Sequence, residues 1–118
     1  MCGKARSMSV HETLKTAIRK RRCVVMMAGR RRREACPHAL GYKDKRLRVL
    51  VYQYSGGSAS GLADDGGWRC FFVDDVWWTE IADGPWHSSH DYIAKAETSF
   101  DYIECQAVPL IRSSQDVR

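Results

Sequence analysis

No apolar run in this 118-residue chain approaches the ~20 residues that a membrane-spanning helix requires. The N-terminus lacks the apolar core of a secretory signal, so the expected location is cytoplasmic. The five cysteines, Cys2, Cys23, Cys36, Cys70 and Cys105, are odd in number, widely spaced and free of any C-x-x-C pair. That pattern argues against a disulfide framework. Cys23, Cys36 and Cys70 fall within apolar strand patterns, where a reduced cysteine acts as a small hydrophobe. Acidic residues are scarce in the first half. Residues 1–50 carry 15 Lys/Arg and 3 Asp/Glu, a charge of +12, against −7 for residues 51–118. Such asymmetry fits an anionic or nucleic-acid partner for the first half, or an acidic half that neutralises a basic one within a single fold. There is no internal repeat, and the length suits one domain with one core.

What is present is strand-rich. Arg46–Tyr54 is the longest run of β-branched, aromatic and aliphatic residues, and it reads as the central strand. Leu47, Val49 and Val51 share one face, while Arg48, Leu50, Tyr52 and Tyr54 share the other, so both faces need cover. Ser9-Val-His-Glu12 is a capping box that opens an amphipathic helix over 10–21, buried through Val10, Leu14, Ala17 and Ile18. Strands are expected at 23–28, 32–39, 68–73, 76–81 and 103–108, with turns at Gly29-Arg30 and Gly41–Lys45. Pro37 requires its strand to end, bulge or lie at an edge. Ser55–Gly67 reads as a mobile loop, Asp74-Asp75 as a bend, and Ala94–Asp101 as a candidate helical turn. The expected fold is mainly β (α+β): a small SH3-like or Sm-like barrel of five to six short strands with one N-terminal helix. A β-grasp or other compact roll is the alternative. Residues 1–8 read as a leader, 9–108 as the domain and 109–118 as a frayed tail.

In order, the chain carries Ala17-Ile18-Arg19 on a basic helix, Arg-x-Ala-x-Pro-His from Arg33 to His38, and Leu40-Gly41-Tyr42. Val51-Tyr52-Gln53 and Gly67-Trp68-Arg69-x-Phe71-x-Val73-Asp74-Asp75 follow. This combination resembles the WYL domain, in particular short stand-alone bacterial WYL-like proteins, over roughly residues 12–81. The resemblance implies an Sm/SH3-like barrel and a non-enzymatic, ligand-sensing or regulatory role, with nucleic acid or another negatively charged ligand as partner. The chain departs from the family at two places. The tripeptide that names it falls on Leu47-Arg48-Val49, and two of its basic positions fall on Phe72 and Asp75.

Candidate sites divide by chemistry. Arg33, His38, Arg48, Tyr52 and Arg69 are the candidate ligand-binding residues, and Arg19, Arg22 and Arg31 a phosphate or nucleic-acid patch. Guanidiniums offer planar forks to phosphate, and Tyr52 and Trp68 offer faces for bases. The bland alternative is a solvated hairpin tip, including Arg30 and Arg32, with aromatics in the core. Trp77-Trp78 puts one tryptophan outward if it lies on a strand, which with Trp86 would make a homodimer or partner contact, unless the acidic tail covers it. That contact, with a decayed ligand site, is the alternative function. His87-x-x-His90 and Cys36-Pro-His38 lack the further ligands zinc needs, so neither metal nor other cofactor is expected. Cys36 with His38, and Ser88 with His90, lack an orienting acid, and the carboxylates of Asp64-Asp65 and Asp74-Asp75 diverge on a strand. No enzyme is expected.

Overall fold

The protein is described by a computed structural model covering residues 9–56 and 67–107. The expected leader, most of the Ser55–Gly67 loop and the tail from 108 onward lie outside the described residues.

Helix α1 spans Val10–Lys20 and begins as its capping box dictates. The Glu12 N–H donates to Ser9 Oγ at 3.1 Å, and the Ser9 N–H donates to the Glu12 carboxylate at 3.3 Å. Arg21 closes it in the left-handed region at φ 52°. Strands β1 (Val24–Ala28), β2 (Arg31–Lys43) and β3 (Arg46–Gly56) follow as two hairpins. Each hairpin turns on two residues of positive φ, Gly29-Arg30 (62° and 69°) and Asp44-Lys45 (53° and 68°), the geometry that matches strand twist. The second turn is tighter than expected because Gly41 belongs to the strand. A Cβ there would run into the Tyr102 carbonyl oxygen and lie 2.7 Å from Phe100 Cδ1. Glycine lets another backbone lie against β2 at that point.

Strand β4 (Gly67–Phe72), a single 3-10 turn at Val73–Asp75, β5 (Val76–Ile81), helix α2 (Tyr92–Ser99) and β6 (Tyr102–Gln106) complete the described chain. The sheet is antiparallel in the order β4-β3-β2-β1-β5, with β6 pairing β2 as well. The hub is therefore β2 and not β3. Its 13 residues pair β1 through Arg31–Ala35, β3 through Arg33–Lys43, and β6 through Ala39–Tyr42. One strand serves three partners because it bends at Pro37. Pro37 pairs with Val51 and Ala39 with Leu50, which leaves His38 as an extra, bulged residue.

The sheet is open where a closed barrel was expected: among the described residues, β4 and β5 each have one strand neighbour. Yet these ends of the sheet are consecutive in the chain, joined only through Val73–Asp75. At no more than about 3.5 Å per residue the link is short, so the sheet must curl until its ends approach without sharing a ladder. Inside the curl, Val24, Met26, Ala28, Val49 and Val51 pack with Leu14, Ala17 and Ile18 of α1. Outside it, Leu50 and Ala39 pack with Tyr92, Ala96 and Phe100 at α2. The second helix was expected only as a turn. It forms because the outer face of β3 carries apolar residues that must be covered. No helix among the described residues is long and apolar enough to cross a membrane.

Candidate functional site

The candidate ligand residues separate into three places. The first lies on the inner face at the β1–β2 turn end. Arg33 is buried there; its Nε–H donates to the Ala28 carbonyl at 3.0 Å and its Nη1 to Gln53 Oε1 at 3.1 Å. Its guanidinium also lies 4.8 Å from the centre of the Phe71 ring. Burial, then the charges of Arg69 and Arg31, hold its pKa below the ordinary value. Arg31 sits two residues along β2 on the same face, exposed. Arg69 opposes Val51 across the β3–β4 ladder on Phe71's face, and is half-buried. Three like charges thus gather across β2 and β4.

The second place is on the outer face, where the bulge aims His38 into a box of aromatics. Its ring stacks on Trp86 at 4.5 Å, meets Trp68 edge-on at 4.8 Å and lies 5.6 Å from Tyr92. Tyr52 packs edge-on against Trp68, whose Nε1–H donates to Asp91 Oδ1 at 2.7 Å. The Cys36 carbonyl, 2.7 Å from Nδ1, can only accept, so Nδ1 carries the proton and Nε2 accepts from the Ser88 hydroxyl at 2.9 Å. This Ser88–His38 contact replaces the expected pairings of Ser88 with His90 and of His38 with the Cys36 thiol. It joins residues 50 apart, which no spacing rule reveals. Burial brings the His38 pKa down to about 4. The neutral ring therefore donates at Nδ1 and accepts at Nε2. Tyr52, at 8 % exposure, offers no face to a base.

The third place holds Arg48, whose Nη1–H donates to the Ser99 carbonyl at 3.1 Å. Phe72, opposite Arg48 in the ladder, lies under two guanidiniums, that of Arg46 at 3.5 Å and that of Arg48 at 5.2 Å. An arginine at position 72 would add a third positive charge there, so the aromatic ring suits this environment better than a basic residue would.

The expected phosphate patch divides too. Arg22 is bound to Asp83 at 2.7 Å and to the Ala82 carbonyl, while Arg19 is exposed on the last turn of α1. The length of β1, roughly 16 Å at 3.3 Å per residue, separates them from Arg31. Trp77 and Trp78 are both exposed, at 66 % and 40 %, where only one was expected to face outward. Ala28 pairs with Val76 and Met27 with Trp78, so Trp77 is a bulge and the alternation fails there. An open groove of about 580 Å³ between α2 and β6 is rimmed by Glu97 and Asp101, which makes it a poor seat for an anion. Among the described residues no group of three or more His, Cys, Asp or Glu is arranged to hold a metal ion.

Comparison of the chain with protein-family models, with curated proteins and with solved structures returned no match.

Proposed function

We propose that the protein is a non-enzymatic sensing or regulatory module that binds a negatively charged ligand, with single-stranded nucleic acid as the class to test first. The observation that carries this reading is the convergence of Arg31, Arg33 and Arg69 across two strands. Holding like charges together costs free energy that a bound anion offsets. Arg33, held by the Ala28 carbonyl and Gln53, sets the floor, and the exposed Arg31 is the first of the three to meet a ligand. The resemblance to the WYL domain supports the same class, and the short link between the sheet's two ends supports an SH3- or Sm-like curl.

The test is a titration of a labelled single-stranded oligonucleotide at low and high salt. Binding is expected to weaken steeply with salt. Arg31→Ala and Arg69→Ala should each cost about tenfold in affinity, the value of one charge-assisted contact, and Arg30→Ala much less. Equal losses at Arg30, Arg31, Arg32 and Arg69 would mean only diffuse charge. No binding at low salt would sink the proposal.

A second reading rests on β5. Among the described residues it pairs only with β1, and its outer edge carries Trp77. If that edge pairs with a second copy, sedimentation should show a dimer that Trp77→Ala shifts toward monomer. A wild type that stays monomeric at high concentration rejects this reading.

A further inference from the structure

Cys23 and Cys36 come together at the base of the β1–β2 hairpin. The β1–β2 register pairs Val24 with Ala35, and one more step places Cys23 directly opposite Cys36. Directly opposed residues of an antiparallel pair have the Cα separation that a disulfide spans. Both side chains are fully buried, both thiols are free, and their sulfurs lie 2.8 Å apart. A short strap, residues 82–88, crosses above them. The Cys23 thiol donates to the Pro85 carbonyl at 2.8 Å, and the His87 N–H donates to the Cys36 sulfur at 3.1 Å. The same strap carries Trp86 and Ser88 to His38. Gly84 is the residue that lets the strap come close, since a Cβ there would lie 2.8 Å from the Tyr54 hydroxyl.

We infer that Cys23 and Cys36 form an oxidant-responsive dithiol site, which a peroxide converts to an intrachain disulfide. Chemistry assigns the roles. Burial, then the hydrogen bond with Cys23, holds the Cys36 thiol well above its ordinary pKa and keeps the reaction slow; Cys36 is taken as the attacking sulfur because the His87 N–H already points at it. The Cys36 thiolate attacks one oxygen of hydrogen peroxide. The O–O bond breaks, hydroxide leaves and takes up the proton that the thiol released, and Cys36 becomes a sulfenic acid. The Cys23 sulfur, losing its proton, then attacks Cys36 Sγ; the S–O bond breaks and water departs. Two thiols and one peroxide become one disulfide and two waters. The bridge removes the thiol hydrogen bond to Pro85, so the strap loses a tie while the hairpin gains one.

The experiment treats the full-length protein with hydrogen peroxide and follows intact mass. A loss of about 2 Da, reversed by dithiothreitol, is expected for a single intrachain disulfide. Tryptic mapping should join the peptide Cys23–Arg30 to Glu34–Lys43, and the oxidised protein should melt roughly 10 °C higher. Cys36→Ser should show no such joined peptide. Bridges that involve Cys2, Cys70 or Cys105, sulfinic acid at Cys36 without a bridge, or no mass change after prolonged exposure would each overturn the inference. The wild-type measurement decides even if a cysteine variant fails to fold.

Discussion

Leu14→Asp is expected to destabilise the protein by about 5 kcal/mol, enough to remove most of the folded population of a domain this size. Leu14 has no exposed surface and packs between α1 and the inner face of the sheet, where its cluster includes Ala17, Ile18, Val24, Val49 and Val51. Two penalties add. The leucine's burial is lost, at about 2–5 kcal/mol for truncation alone, and a carboxylate enters a site with no partner prepared for it. The capping box at Ser9 and Glu12 does not compensate, because it supports the helix and not its docking. Urea unfolding measures the change, with Leu14→Ala as the comparison that isolates the packing term. A variant as stable as the wild type would mean that α1 is not part of the core.

Acid should destabilise the fold between pH 6.5 and about 4 through His38. The folded pKa is about 4 against an ordinary 6.5. Above pH 6.5 the ring is neutral in both states and contributes no pH dependence. Below it the unfolded chain binds a proton that the folded one refuses, so stability falls as pH falls and levels off near the folded pKa. The difference of some 2.5 units corresponds to about 3 kcal/mol. Asp91 and Glu104, whose carboxyls are held below their ordinary values by hydrogen bonds from Trp68 and from His11 and Lys15 respectively, lose stability in the same direction. Their windows lie lower, since such a carboxylate must be titrated through its depressed folded pKa. Urea midpoints at pH 7 and pH 4.5 test this. His38→Gln should be less stable at neutral pH, for want of the ring between Trp86 and Trp68, but should lose much less between the two pH values. An equally steep loss in the variant would assign the acid sensitivity elsewhere.

Much of the local structure was legible in the residues themselves. The capping box placed α1, and runs of β-branched, aromatic and aliphatic residues placed the strands. The bend at Asp74-Asp75 appears as a 3-10 turn, and Pro37 announced an irregularity in its strand. Local chemistry settles such features: a cap, a missing N–H or a period-two pattern acts over a few residues. The double-sided burial of Arg46–Tyr54 also followed from its pattern. What covers its outer face did not, because Tyr92, Ala96 and Phe100 lie 40 or so residues away. Ala94–Asp101 read only as a candidate helical turn, where the structure forms α2 over Tyr92–Ser99.

The sites depended on long-range geometry. Arg33, Arg48 and Arg69 look alike in the chain, yet one is buried on carbonyl and amide oxygens, one reaches a helix end, and one joins the like-charged group. The Ser88–His38 hydrogen bond joins segments that only a strap crossing a hairpin brings together, whereas the Cys23–Cys36 contact follows from the register of the β1–β2 hairpin. Sequence by itself determined a mainly β domain with a capped N-terminal helix and a strongly basic first half. The tertiary structure decided that β2 is the hub, that the sheet stays open, and which arginines converge. The reason is physical. Propensity and periodicity are set by neighbours along the chain, whereas burial, bulge direction and charge proximity are set by whichever distant segments pack there.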